Sequence, residues 1–290
     1  MIGRPAAAAD AMGYHYDASR KALFTPAEDA SFFPDGRPSA EPLLCAEMCR
    51  LAYAPFERDP AARGHMEATL RRIGFALRAT FSSESTQSFL AQDPNGSLSV
   101  LAFRGTELDL RDWTTDLNLL LGPWPAGGQV HSGFAGALAS IWEPVSAALA
   151  SVRGRLVFTG HSLGAALATL ASTRHRPDVL YTYGSPPIGD SDFGAAAASL
   201  NHHRYINCCD IICRNPPEGL KYCHCGSMVY LDRLGKVHAG APDRLLARDQ
   251  LGARLAYLMS WSWRPGTVWT REAADHAPVN YLWALSQSLS

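Results

Sequence analysis

The residues best suited to chemistry in this chain are Gly160-His161-Ser162-Leu163-Gly164. They follow a short apolar run, Arg155 to Thr159 (RLVFT), and precede an Ala/Leu-rich stretch, Leu163 to His175, that reads as helix. A strand that reverses directly into a helix leaves no room for side chains two residues either side of the serine, which is the use of Gly160 and Gly164. His161 completes the turn. Such a turn lifts the Ser162 hydroxyl above the sheet edge. It also aims the backbone N–H of Leu163 at the place where an oxyanion would form. A serine is a weak nucleophile until a base accepts its proton, and that base needs a third group to fix its tautomer.

Eight aspartates follow Ser162. Only Asp210 stands immediately after an apolar strand run, HRYINCC, and Asp190, beyond the earlier run VLYTY, is the second candidate. Among the histidines downstream, His175 lies between Arg174 and Arg176 at a helix end and reads as a partner for the helix dipole. His202 and His203 open a strand. His224 and His276 stay open as bases on the residues alone.

The elements that must position these groups alternate. A helix is expected over Glu41 to Phe56, from its 3.6-residue apolar period, and a strand over Ser97 to Phe103. Gly133 to Val152 reads as a helix with a kink or fresh start at Pro144. Strands over Val179 to Tyr183 and His203 to Cys208 flank a helix over Asp190 to Leu200. Strand–helix alternation of this kind predicts an α/β fold, a mainly parallel central sheet with helices on both faces, and a site beyond the carboxyl ends of its strands. Residues 1–38 read as a loose leader and 39–290 as a single domain. Arg244 to Trp263 reads as an amphipathic helix, and Trp261, Trp263 and Trp269 follow closely, fit to line an acyl pocket or to contact a membrane surface, with core packing the favoured use for most of them.

With 26 Lys+Arg against 27 Asp+Glu, the net charge of −1 lacks the cation surplus a nucleic-acid binder uses to displace counterions. The 47% hydrophobic content excludes a disordered chain. No run of about 18 apolar residues predicts a transmembrane helix. Asp10, His15, Asp17 and Arg20 interrupt any signal-like apolar core. The seven cysteines are odd in number and tightly clustered, so a cytoplasmic protein with reduced thiols is expected. A metal or redox module on Cys45/Cys49, Cys208/Cys209/Cys213 and Cys223/His224/Cys225 is the competing reading. Its spacings match no known finger, and no metal or other cofactor is expected.

The sequence resembles the class 3 lipases, the fungal-type family of α/β-hydrolases. Four segments carry the likeness in order: Phe103-Arg104-Gly105-Thr106, Val130-His131-Ser132-Gly133-Phe134, Gly160 to Gly164, and a distal Asp and His. The resemblance implies that Thr106 gives a backbone N–H and its hydroxyl to the oxyanion, and that His131 is structural at a helix entrance. Tyr205 to Ile212 resembles the family's acid segment, with Ile212-Cys213 in place of Val-Pro, which supports Asp210. His224 falls in a non-catalytic segment of the family, and His276, on a mobile loop ahead of the last helix, becomes the base. The stretch 107–124 corresponds to the lid, and Leu110, Trp113 and Leu117 share one helical face within it, as they would also do if they packed in a core. The implied function is a serine carboxylic-ester hydrolase, a lipase on acylglycerols or related lipid esters working through an acyl-enzyme. A phospholipase A1-type enzyme, a short-chain carboxylesterase and a non-catalytic lipid- or metal-binding protein are the alternatives. The expected partners are a lipid or small ester and a transient lipid interface, with no nucleic acid. The oligomeric state is not readable.

Overall fold

The computed structural model describes residues 15–105, 120–216 and 220–289. Its strands are β1 (Ala76–Ser82), β2 (Gln87–Gln92), β3 (Leu98–Phe103), β4 (Leu121–Pro123), β5 (Gln129–His131), β6 (Arg155–His161), β7 (Val179–Tyr183), β8 (His202–Asn207), β9 (Ser227–Leu231) and β10 (Val237–Ala239). Eight of them form one sheet in the order β1-β2-β3-β6-β7-β8-β9-β10, and β4 pairs with β5 in a separate hairpin. The centre, β3-β6-β7-β8-β9, is parallel; β1, β2 and β10 are antiparallel additions at the two edges.

The parallel strands are apolar on both sides because both sides are covered. On one, Val100, Ala102, Val157, Val179 and Tyr183 meet the helices Glu41–Leu51 and Pro278–Leu289. On the other, Leu101, Phe103, Leu156, Phe158 and Leu180 meet the helices Ser132–Leu149 and Leu163–Arg174. Neighbours in sequence therefore belong to different cores, as the two-residue strand period requires. The mainly parallel central sheet with helices on both faces agrees with the reading of the sequence, and the central elements start and end within a few residues of expectation.

The differences have identifiable causes. The sequence shows no apolar run at β1 and β2. β1 is largely exposed and carries Arg78 and Thr80, while β2 buries Gln87 and Ser88. The helix Pro60–Arg72, capped by the Asp59 carboxylate accepting from Ala61 N at 2.8 Å, has only a sparse apolar face. The helix Ser132–Leu149 runs through Pro144 without a fresh start. The helix at Glu41 ends at Leu51 instead of Phe56.

Residues 15–38 are not a loose leader. Ser19 caps a short helix, Arg20–Phe24, by accepting from Ala22 N. Ala18, Ala22 and Leu23 pack against Tyr257, Ala274, Ala277 and Val279. Asp17 N donates to Asn280 Oδ1 at 2.8 Å, and Asn280 returns a bond to Asp17 O at 2.7 Å. Residues 1–14, and with them the start of that expected leader, lie outside the described residues.

A buried ion pair fastens this segment to the core. Arg50 meets Glu47 through Nε and Nη2, each at 2.7 Å, with both side chains fully enclosed. Its Nη1 donates to the carbonyls of Pro26 and Asp29. Removing one member of such a pair strands the other charge, so Glu47→Ala should cost about 3–5 kcal/mol of unfolding free energy. Urea denaturation of the two proteins measures this, and a loss below about 1 kcal/mol would assign the pair no structural weight.

Candidate active site

Ser162 sits between the end of β6 and the first turn of the helix Leu163–Arg174, with φ 58 and ψ −128. A non-glycine residue there carries roughly 1–3 kcal/mol of backbone strain. The two flanking glycines make the turn possible by close approach. A Cβ on Gly160 would stand 2.0 Å from Gly164 O, and one on Gly164 would stand 2.3 Å from Phe103 O. Leu163 opens the helix, so its N–H has no carbonyl of a preceding turn to meet and points out at the positive end of the helix dipole.

His276 Nε2 lies 3.0 Å from Ser162 Oγ, and its Nδ1 lies 2.9 Å from both oxygens of Asp210. The three side chains are buried. Burial alone would push the Asp210 carboxyl up. The facing His276, hydrogen bonds from His276 and Tyr281, and His161 outweigh it, and the group stays below the usual carboxylate range. An ionised carboxylate only accepts, so Nδ1 carries the ring proton and Nε2 is left to accept from the serine hydroxyl. Asp210 also accepts from Tyr281 Oη at 2.7 Å and from Ile212 N at 2.9 Å.

His276 is not on a free loop, as the resemblance had implied. It is buried where the helix Arg271–Asp275 gives way to the helix Pro278–Leu289. Its carbonyl accepts from His161 Nε2 at 2.7 Å. A carbonyl cannot donate, so His161 has its proton on Nε2, and its Nδ1 accepts from Tyr53 Oη at 2.8 Å. Burial, reinforced by the neighbouring His276, lowers His161 to about 3 and keeps it neutral. Asn207 Nδ2 donates to Asp275 O at 2.9 Å, tying the end of β8 to the residue before the base.

The other candidates have visible duties elsewhere. Asp190 caps the helix Ser191–Ala197, accepting from Phe193 N at 2.9 Å and Gln129 N at 3.0 Å. His224 Nε2 donates to Cys213 O at 2.8 Å. His131 Nδ1 accepts from Gly133 N and Phe134 N at the start of its helix. Thr106 and the lid residues Leu110, Trp113 and Leu117 lie outside the described residues. The described end of the expected lid is β4 and Trp124, whose Nε1 donates to Thr173 Oγ1 at 2.9 Å. Arg104, next to Gly105, pairs with Glu57 at 3.2 Å.

Cys208, Cys209 and Asp275 bring one donor atom each within 4.8 Å of the others. The donors are engaged by protein, however. Asp275 takes Arg271, Tyr16 Oη and Cys209 N, and Cys208 Sγ donates to Asp249. Cys209 and burial push the Cys208 thiol up, away from the thiolate a metal requires.

Sequence reasoning missed Tyr53, Tyr281, Asn207 and Gly184. Tyr281 stands five residues beyond His276, a spacing that could have flagged it; Tyr53 meets His161 across 108 residues and left no local trace. Gly184, at φ +59, is where a Cβ would stand 2.7 Å from Asp210 Oδ2 and 3.0 Å from His276 Nδ1.

Residues 100–220 match the family described as lipase (class 3). A secreted mono- and diacylglycerol lipase of Fusarium solani is 31% identical over 158 residues, 50% of this chain and 47% of its own length. One from Penicillium cyclopium is 32% identical over 152 residues, 48% of this chain and 50% of its own. The chain thus spans about half the length of the curated relatives it matches. Among solved structures, a mono- and diacylglycerol lipase from Aspergillus oryzae superposes with a TM-score of 0.58 at 22% identity. It covers 67% of this chain and 81% of that one, a likeness of fold. The expectation of a cytoplasmic protein is overturned by these relatives, which are secreted by name and point to the outside of the cell.

Gly184→Ala should lower kcat/KM by about 10²-fold, because it displaces the carboxylate–imidazole pair by a fraction of an ångström to an ångström. Unchanged ester turnover would mean that the pair tolerates the intrusion. Stability should also depend on acid. Burial lowers His161, His202 and His224 to about 3, whereas unfolded imidazoles titrate near 6.5. As pH falls through about 6.5 the unfolded chain takes up protons that the folded one refuses, so stability is full above that value and is lost progressively down to about 3. Urea midpoints measured across this range should fall with pH, and His202→Gln should reduce the slope by about one proton.

Proposed function

We propose that this chain, whose residues 100–220 match the class 3 lipase family, is an extracellular serine ester hydrolase acting on acylglycerols. The observation that supports this best is the unbroken run of hydrogen bonds from Ser162 Oγ through His276 to Asp210 at 3.0 and 2.9 Å. In this reading Ser162 attacks the ester carbonyl while His276 Nε2 takes its proton. Asp210 holds the tautomer and faces the imidazolium that forms. The oxyanion is met by the N–H of Leu163, and by Thr106 if the family's motif carries over. His276 returns the proton to the departing alcohol. It then draws a proton from water, which opens the acyl-enzyme and releases the fatty acid.

Labelling with a fluorophosphonate separates this reading from a binding protein on the same fold. The unaltered protein should label and lose its ester turnover. Ser162→Ala should not label, and its turnover should fall by about 10⁴–10⁶-fold. Equal labelling of both would remove Ser162 from the role. Comparing emulsions of mono-, di- and triolein with phosphatidylcholine and with a short nitrophenyl ester then identifies the substrate class.

A further inference from the structure

The helix Asp243–Ser260 has two apolar faces. Gln250, Ala253 and Tyr257 point inward, where Ala253 packs on Cys208 and Cys209 just before Asp210. The opposite face carries Leu251, Leu255, Leu258 and Met259, spaced four, seven and eight residues from the first, and all exposed. Met259 is 79% exposed and Leu258 63%. Trp263 continues the patch at 70% exposure, its Nε1 donating to Met259 O at 3.2 Å. Exposed large side chains are ordinary singly; a contiguous set on one helical face marks a contact surface.

Charge says what kind of partner fits. Arg244 and Arg248 lie seven and three residues before Leu251, on the same face and exposed. The Arg264 guanidinium sits 4.5 Å from the Trp261 ring and 5.5 Å from that of Trp263. Of the acidic residues nearby, Asp249 is engaged by Tyr230 and Arg233 and Glu272 by Arg254, while Asp243 is exposed beside Arg244, and Asp232 and Asp249 share a pocket with Arg244 and Arg248. Apolar side chains and tryptophan rimmed by arginines that make no ion pair among the described residues suit the boundary between acyl chains and anionic headgroups. A symmetric contact with a second copy would instead set the arginines against their own kind.

We propose that this face is a docking surface for an anionic lipid aggregate, carried by the helix whose inner side packs on Cys208 and Cys209 at the end of β8. The proposal deepens the function given above, since it rests on the substrate being a lipid ester.

The test uses phosphatidylcholine vesicles with and without 30 mol% phosphatidylglycerol, together with a soluble nitrophenyl butyrate assay of the same preparations. The unaltered protein should co-sediment with the anionic vesicles, and less so in high salt. Leu258→Asp/Met259→Asp should bind them roughly tenfold or more weakly. Arg244→Glu/Arg248→Glu should lose the preference for phosphatidylglycerol. Both variants should keep their turnover of the soluble ester, which reports intact folding and an intact site. Equal vesicle binding by the unaltered protein and the Leu258/Met259 variant would overturn the proposal. So would no binding by either, or a concentration-dependent dimer that the same substitutions abolish. Failure of the soluble assay in the unaltered protein would instead reject the hydrolase reading, whatever the vesicles do.

Discussion

One imidazole has to accept from a hydroxyl and donate to a carboxylate at the same time, and neither partner is near it in sequence. His276 meets Asp210 across 66 residues and Ser162 across 114. A ring can hold both bonds only if its backbone is fixed, and much of the local structure does that. His161 grips the carbonyl of His276, Asn207 grips that of Asp275, and the Asp275 carboxylate meets Arg271 and Cys209 N. Enclosing Asp210 removes water from an ion, an expensive step unless donors replace it. His276, Tyr281 and Ile212 N supply them.

His161 shows why such a site needs a neutral neighbour as much as a charged one. Its ring centroid is 4.5 Å from that of His276. A second cation there would oppose the imidazolium that proton transfer creates. Burial removes that conflict by holding His161 uncharged, and Tyr53 and the His276 carbonyl fix its two nitrogens in one orientation. The strained backbone of Ser162 depends on the same over-determination. β6, the following helix and Phe103 O close around Gly160 and Gly164, so the chain has nowhere to relax.

The legible parts of the fold were those where one rule acts alone. Buried parallel strands read as apolar runs, and β7 was delimited to the residue because Val179 to Tyr183 is an unbroken run of β-branched, aliphatic and aromatic residues. The elbow was legible because its glycines are a local steric demand. β2 was not, since a strand can bury Gln87 and Ser88 once its neighbours are in place. Residues 15–38 were misjudged for a related reason. Their Ala, Pro and Asp content looks unstructured, yet it is held by Arg50 from the next helix and by Asn280 from far along the chain. Tyr53 and Gly184 act only through contacts that exist after folding, and no spacing announces them.

The helix Asp243–Ser260 defeats sequence reading in another way. Apolar residues on two faces satisfy the helical period whichever face is buried, so an amphipathic pattern alone does not say which of its leucines face the core. Ala253 fits against Cys208 and Cys209, and Tyr257 packs with Ala18, Ala22 and Val268, while Leu255, Leu258 and Met259 are left outside. A protein acting on a lipid aggregate has two opposed requirements, a dry, fixed pocket for proton transfer and an apolar surface open to water. Under the docking proposed above, one helix serves both. Its inner face closes the chain behind Asp210 through Gln250 Nε2 donating to Cys208 O at 2.9 Å, and its outer face stays exposed. A change on that outer face is then separable from the groups that would do chemistry.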